Sequence, residues 1–109
     1  MKQAWTSQSV DKRVNEIEGV FAAVTQKYAG KAATVIEEGD RDELTGCLRD
    51  IGSIVIHYRD SFSQGSVGEE QVQRLLGAGK LQGEMLQYLC SFSNVNAREL
   101  LQKAITGFK

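Results

Sequence analysis

Proline is absent from this chain of 109 residues. Proline breaks helix interiors and punctuates β-rich proteins, so its absence leaves long uninterrupted helices free to form. Cysteine occurs twice, at Cys47 and Cys90, and histidine once, at His57. A secreted disulfide scaffold of this size carries more cysteines. With no CxxC and no Cys/His cluster, the spacing of a structural zinc site is missing too, and no metal or cofactor is expected. Both cysteines fall inside apolar helical patterns and read as small buried thiols in a reducing cytosol. Charge of one sign is also lacking: 13 Lys and Arg stand against 14 Asp and Glu. That balance gives no global pull toward nucleic acid or an anionic membrane. No stretch approaches the ~20 apolar residues that span a bilayer, and "MKQAWTSQSVDKR" lacks the apolar core of a secretory signal. A cytoplasmic protein is the expectation.

What is present reads as one folded domain over 1–109, with residues 1–8 a flexible N-terminus. Hydrophobic residues are 41% and charged residues 25%, ordinary for a globular chain, and the length suits a single core. Val10, Val14, Ile17, Phe21, Val24 and Tyr28 are spaced 4, 3, 4, 3, 4. This is a heptad seam, continuing loosely through Lys31 and Ala32 to Val35. It predicts a helix near 9–37, capped by Ser7 or Ser9 with Asp11 in its first turn. "EEGD", residues 37–40, stops it. Asp40 and Glu43 have the spacing of a capping box. Leu44, Leu48, Ile51, Val55, Tyr58 and Phe62 then repeat the same spacing, predicting a second helix near 41–62.

Two matched seams joined by a short polar link predict a long antiparallel helix hairpin. Ile17, Phe21 and Val24 are expected to meet Ile51, Val55 and Tyr58 at its centre. "SQGS", residues 63–66, is a turn, and Ser66 with Glu69 forms a second capping signal. Val72, Leu75 and Leu76 mark a shorter helix that "GAG", residues 77–79, is expected to break. Another helix starts near Lys80 with Leu81, Met85, Leu89 and Phe92. Asn96 and Glu99 cap a last one carrying Leu100, Leu101, Ile105 and Phe108. The expected architecture is all-α: a helical bundle built on the hairpin, with three shorter C-terminal helices.

Candidate chemistry is sparse. His57, within "CLRDIGSIVIHYRDSF", lies on the flank of the second seam. A histidine phosphotransfer domain is a helical bundle of similar size. That family places lysine and glycine three and four residues after its histidine, where this chain has Asp60 and Ser61. An acid there repels phosphate, so a phosphocarrier role for His57 is the weakest alternative. "GAGKLQG" lacks the strand and the GK[ST] ending of a phosphate loop. Residues 69–89 offer a helix–turn–helix reading around Gly77, and hence a DNA-binding regulator as the first alternative. The supposed recognition helix, however, has Lys80 as its one cation, whereas DNA readers concentrate several. The paired acids Glu16/Glu18, Glu37/Glu38 and Glu69/Glu70 have no histidine or serine partner in helical register, so no catalytic residue and no enzyme is expected.

The function expected by elimination is protein–protein interaction of the adaptor, chaperone, anti-activator or inhibitor type, with a homodimer as the expected state. Met85, Leu86, Tyr88 and Leu89 span more than the ~100° that one core contact needs. Either this helix is buried all round or a second chain covers its other face. The expected interface comprises Trp5, Met85, Tyr88 and Phe92, since tryptophan and tyrosine favour interface centres and methionine packs adaptably.

Overall fold

The computed structural model describes residues 5–30, 34–65 and 68–106. The expectations placed on residues 1–4, Lys31, Ala32, Ser66 and Phe108 lie outside these.

The first helix, α1 (Ser7–Tyr28), begins at Thr6. Thr6 Oγ1 accepts the Ser9 N–H at 3.1 Å while Ser9 Oγ accepts the Thr6 N–H at 2.8 Å. The pair is a capping box with serine in place of the usual glutamate, so the cap is Thr6 and not Ser7 or Ser9. Val10, Ile17 and Val24 are its buried positions. The helix stops at Tyr28, well short of residue 37. Gly30 takes φ 74°, the left-handed conformation that closes a helix and that glycine adopts without steric cost.

Helix α2 (Glu38–Ser63) follows. Asp40 and Glu43 do not cap it. Its N-cap is Glu37, three residues earlier, without a side-chain cap, because the Asp40 carboxylate is drawn to α1 instead. Asp40 Oδ2 accepts from Lys27 Nζ at 2.9 Å and from the Tyr28 hydroxyl at 2.7 Å. Two tertiary hydrogen bonds, one of them charge-assisted, outweigh one local cap. Leu44, Cys47, Leu48, Ile51, Ile54 and Tyr58 are buried along α2. At 100° per residue they span far more of the helix than a single seam needs. The reason is that α2 packs against α1, α3 and α4.

The third helix corrects the sequence expectation most. The segments predicted on either side of "GAG" are one continuous helix, α3 (Glu69–Cys90). Gly77, Gly79 and Gly83 sit inside it. Each costs about 1 kcal/mol relative to alanine. Against that, α3 buries Ala78, Leu81, Met85 and Leu89, and each large apolar side chain contributes about 1.5–3 kcal/mol. Burial therefore wins over propensity. The most extensive packing in the molecule is between α2 and α3, not between α1 and α2, so the predicted hairpin is only one side of the core. Ile17, Val24, Ile51 and Tyr58 are buried as the seams require. Phe21 and Val55 are half-buried, and Phe21 meets Tyr88 of α3 edge to face at 5.5 Å.

Paired residues fix the topology. Arg13 donates to Asp50 at 2.7 Å and Tyr28 to Asp40 at 2.7 Å, an order that makes α1 and α2 antiparallel. Asp11–Arg74, Phe21–Tyr88 and Tyr28–Phe92 pair α1 with α3 in increasing order, so these two run parallel. The last helix, α4 (Ala97–Thr106), is capped as expected, Asn96 Oδ1 accepting the Glu99 N–H at 3.0 Å. The described residues form four helices and no strand, in place of the five helices expected, and measure 47 × 24 × 24 Å. One end is locked by a strand-like clamp between loops. The Asn94 amide both accepts the Ile36 N–H at 3.0 Å and donates to the Ile36 carbonyl at 2.8 Å, while the Ser93 N–H reaches the Thr34 carbonyl at 2.7 Å.

Candidate functional site

The four residues expected at an interface lie at different depths. Met85 is wholly buried and Phe92 is 6% exposed, both inside the chain's own core. The surface they were expected to present is therefore occupied from within, by α1 and α2. Tyr88 is half-buried, its ring stacked edge to face between Phe21 and Phe92. Its hydroxyl is buried, with no hydrogen-bond partner among the described residues, and burial pushes its pKa up. Trp5 is half-buried and folds back on its own bundle, its indole N–H donating to Ser53 Oγ of α2 at 2.9 Å. Of the alternatives left open by the apolar faces of α3, the structure shows burial within the chain.

The remaining candidates also resolve into local roles. His57 is half-buried on α2, its ring against Tyr58 with centroids 5.1 Å apart, and Arg59 and Asp60 beside it are exposed. Cys47 is buried, and burial pushes its thiol pKa up, which keeps it protonated and unreactive. Residues 69–89 contain no turn, so the helix–turn–helix geometry proposed for them does not exist. Among the described residues, no group of three or more His, Cys, Asp or Glu is placed to hold a metal ion, and no helix is long and apolar enough to cross a membrane.

Two surface features stand out against this background. The first is a groove of about 750 Å³ between the N-terminal halves of α1 and α3. Val10, Val14, Gly77 and Ala78 form its apolar floor, and Asp11, Glu69, Glu70 and Arg74 its charged rim. Arg74 bridges the groove with a two-pronged contact to Asp11, at 3.0 and 3.1 Å. This ion pair holds the Asp11 carboxyl below the usual carboxylate range. Glu70 stands 3.8 Å from the same guanidinium with its side chain 90% exposed. With Asp11, Glu69 and Glu70 on the rim against Arg74 alone, the rim is net negative. A Cβ built on Gly77, in the groove's lining, meets nothing within 4 Å, so the space beside it is open.

The second feature is the outer shoulder of α4. Leu100 turns into the core with Ala104 half-buried beside it. Leu101 is 44% and Ile105 86% exposed. Residues four apart share a helix face, so the two form one apolar shoulder. Arg98, three residues before Leu101, flanks it in solvent. On the far side, Lys103 is tied to Glu99 at 3.2 Å. The sequence shows these leucine and isoleucine positions, but not which of the two apolar faces of α4 meets the bundle. The inward set Ala97, Leu100 and Ala104 contains two alanines, and small side chains let a short helix sit close. That is the signal that pointed outward for Leu101 and Ile105.

Comparison with protein-family models, with curated proteins and with solved structures found no significant match. The functional reading therefore rests on the surfaces themselves.

Proposed function

We propose that this chain is a helical interaction protein that acts by binding another polypeptide, as adaptors, chaperones, anti-activators and inhibitors do. The observation that carries the reading is the apolar shoulder of α4. Ile105 is 86% exposed on a helix that is otherwise anchored by Leu100. Isolated exposed aliphatics are ordinary on protein surfaces. Two at one helix face, bordered by Arg98, have the make-up of an interface centre with a polar rim. A helix presenting anchors four residues apart is also a recurring way to fill a partner's groove.

The test is site-specific photo-crosslinking in the native host, with a benzophenone side chain at position 105. The reading expects a discrete crosslinked polypeptide that is lost when Leu101→Glu is added. Diffuse or absent crosslinking, unchanged by Leu101→Glu, would show that the shoulder faces only solvent.

A further inference from the structure

The α4 shoulder and the α1/α3 groove are complementary, yet one molecule cannot join its own pair. The groove lies beside Arg74 and Gly77, while α4 packs near Leu89 and Thr45, at the other end of α3. Twelve or more residues of α3 separate the two levels, about 20 Å at 1.5 Å per residue. We infer that the groove is the receptor for α4 of a second copy of this chain, in a reciprocal antiparallel dimer. This rests on the reading of the α4 shoulder as a binding surface and names its occupant.

Three observations argue for a second copy. The first is shape and polarity. The groove's accessible apolar surface is half-buried Val14 and exposed Gly77, over the buried Val10 and Ala78, and a Cβ on Gly77 meets nothing within 4 Å. Leu101 and Ile105 are aliphatic side chains of the size to occupy that space. The second is charge. The groove rim bears Asp11, Glu69 and Glu70 against Arg74 alone, whereas the shoulder is bordered by the cation Arg98. Arg98 brought to that rim meets opposite charge, and complementarity of this kind fixes orientation. The third is placement. Groove and shoulder lie at different levels along the 47 Å molecule, so in the inferred two-fold arrangement each α4 meets the other copy's groove. A closed two-fold dimer makes every contact twice, which doubles the area a ten-residue helix covers by itself.

Sedimentation equilibrium on the purified full chain, from low micromolar upward, tests this. The wild type is expected to show a monomer–dimer equilibrium. Ile105→Glu and Gly77→Leu should each weaken it by about tenfold or more, with no loss of helix content, since both positions are exposed. Gly77→Leu should not lower the monomer's melting temperature, since leucine favours helix over glycine. An equimolar mixture of the two variants should associate more tightly than either alone. The mixed dimer keeps one undamaged groove and one undamaged shoulder facing each other, whereas each variant by itself has two broken contacts. Arg98→Glu should weaken association, and Glu69→Lys in the same chain should restore it. A wild type that stays monomeric overturns the inference, as does a dimer that ignores Gly77→Leu, or a mixture no tighter than its components. If the purified chain is monomeric while position 105 crosslinks to a different polypeptide, the dimer is refuted and the interaction reading stands. If both experiments are negative, both fall.

Discussion

Asn94 does for Ile36 what a neighbouring strand does for a strand residue: it satisfies both backbone groups at once. Ile36 is 1% exposed, so the loop that carries it leaves its main-chain N–H and carbonyl poorly placed for water, and an unpaired buried backbone group is costly. Asn94→Ala is expected to cost about 1–3 kcal/mol in urea denaturation. Asn94→Asp keeps an acceptor but loses the donor, and should fall between the wild type and alanine. A loss below a few tenths of a kcal/mol for alanine would show that the clamp adds nothing to stability. Asp40 is the other residue whose role is tertiary. The Lys27 and Tyr28 hydrogen bonds hold its carboxyl below its ordinary value of 3.8. A depressed carboxylate favours the folded state while ionised. Its contribution is therefore complete above that value and is lost as pH falls through the lower, folded-state pKa. Asp40→Asn should reduce stability at neutral pH and flatten the acid limb of a stability–pH curve. An unchanged acid limb would show that the Lys27–Asp40 contact carries no linkage. The Asn96–Glu99 cap was legible in the sequence because it spans three residues. The Asp40–Glu43 pair had the same spacing and misled, because residues on α1 compete for the carboxylate, and spacing carries no information about them.

At the scale of elements, the glycines of α3 separate what patterning reveals from what it hides. The buried set Leu81, Met85 and Leu89 was legible as a helical period. Its extension back through Gly77 to Glu69 was not, because glycine reads as a break wherever burial on the opposite face is unknown. The structure gives a sharp discriminant. Gly77, Gly79 and Gly83 have ordinary helical conformation, whereas only Gly30 and Gly65 carry positive φ among the described glycines. A Cβ on any of the three α3 glycines meets nothing within 4 Å. Gly79→Ala and Gly83→Ala should therefore each stabilise the chain by roughly 0.5–1 kcal/mol, from higher helix propensity and a less disordered unfolded state. A glycine in a left-handed turn would respond in the opposite direction, since alanine is strained there. Thermal melts of the two variants decide between a continuous helix and a broken one. The ends of α1 show the same limit from the other side. Its heptad spacing runs past Tyr28 in the sequence, but the chain turns at Gly30 so that Tyr28 can meet Asp40 and Phe92.

At the scale of the molecule, the packing of α2 on α3 sets how stability is distributed. The seams on α1 and α2 suggested a hairpin needing cover, and the all-α class followed from them. Which helices share the most extensive contact did not follow, because every amphipathic face looks alike until its partner is known. With α2 and α3 forming the most extensive contact, the residues that matter most are those sealing it, not those at the hairpin centre. Met85 is fully buried there and Phe21 is half-buried at the edge of α1. Met85→Ala is expected to cost about 2–5 kcal/mol, the range for emptying a closed core site. Phe21→Ala removes the larger side chain, but part of its surface is already in water and its loss leaves a cleft that solvent can fill. Its cost should be the smaller of the two, and below the ~3–5 kcal/mol of a fully enclosed phenylalanine. Leu76, 61% exposed on the outer face of α3, provides the control, and Leu76→Ala should stay within about 0.5 kcal/mol of the wild type. Urea titrations of the three variants, monitored by circular dichroism and analysed at a common slope, measure all three costs. The order Met85, Phe21, Leu76 follows from a core centred on α2 and α3. If Phe21→Ala proved the most damaging, the α1–α2 hairpin would be the stabilising unit after all, and α3 a helix laid on its surface.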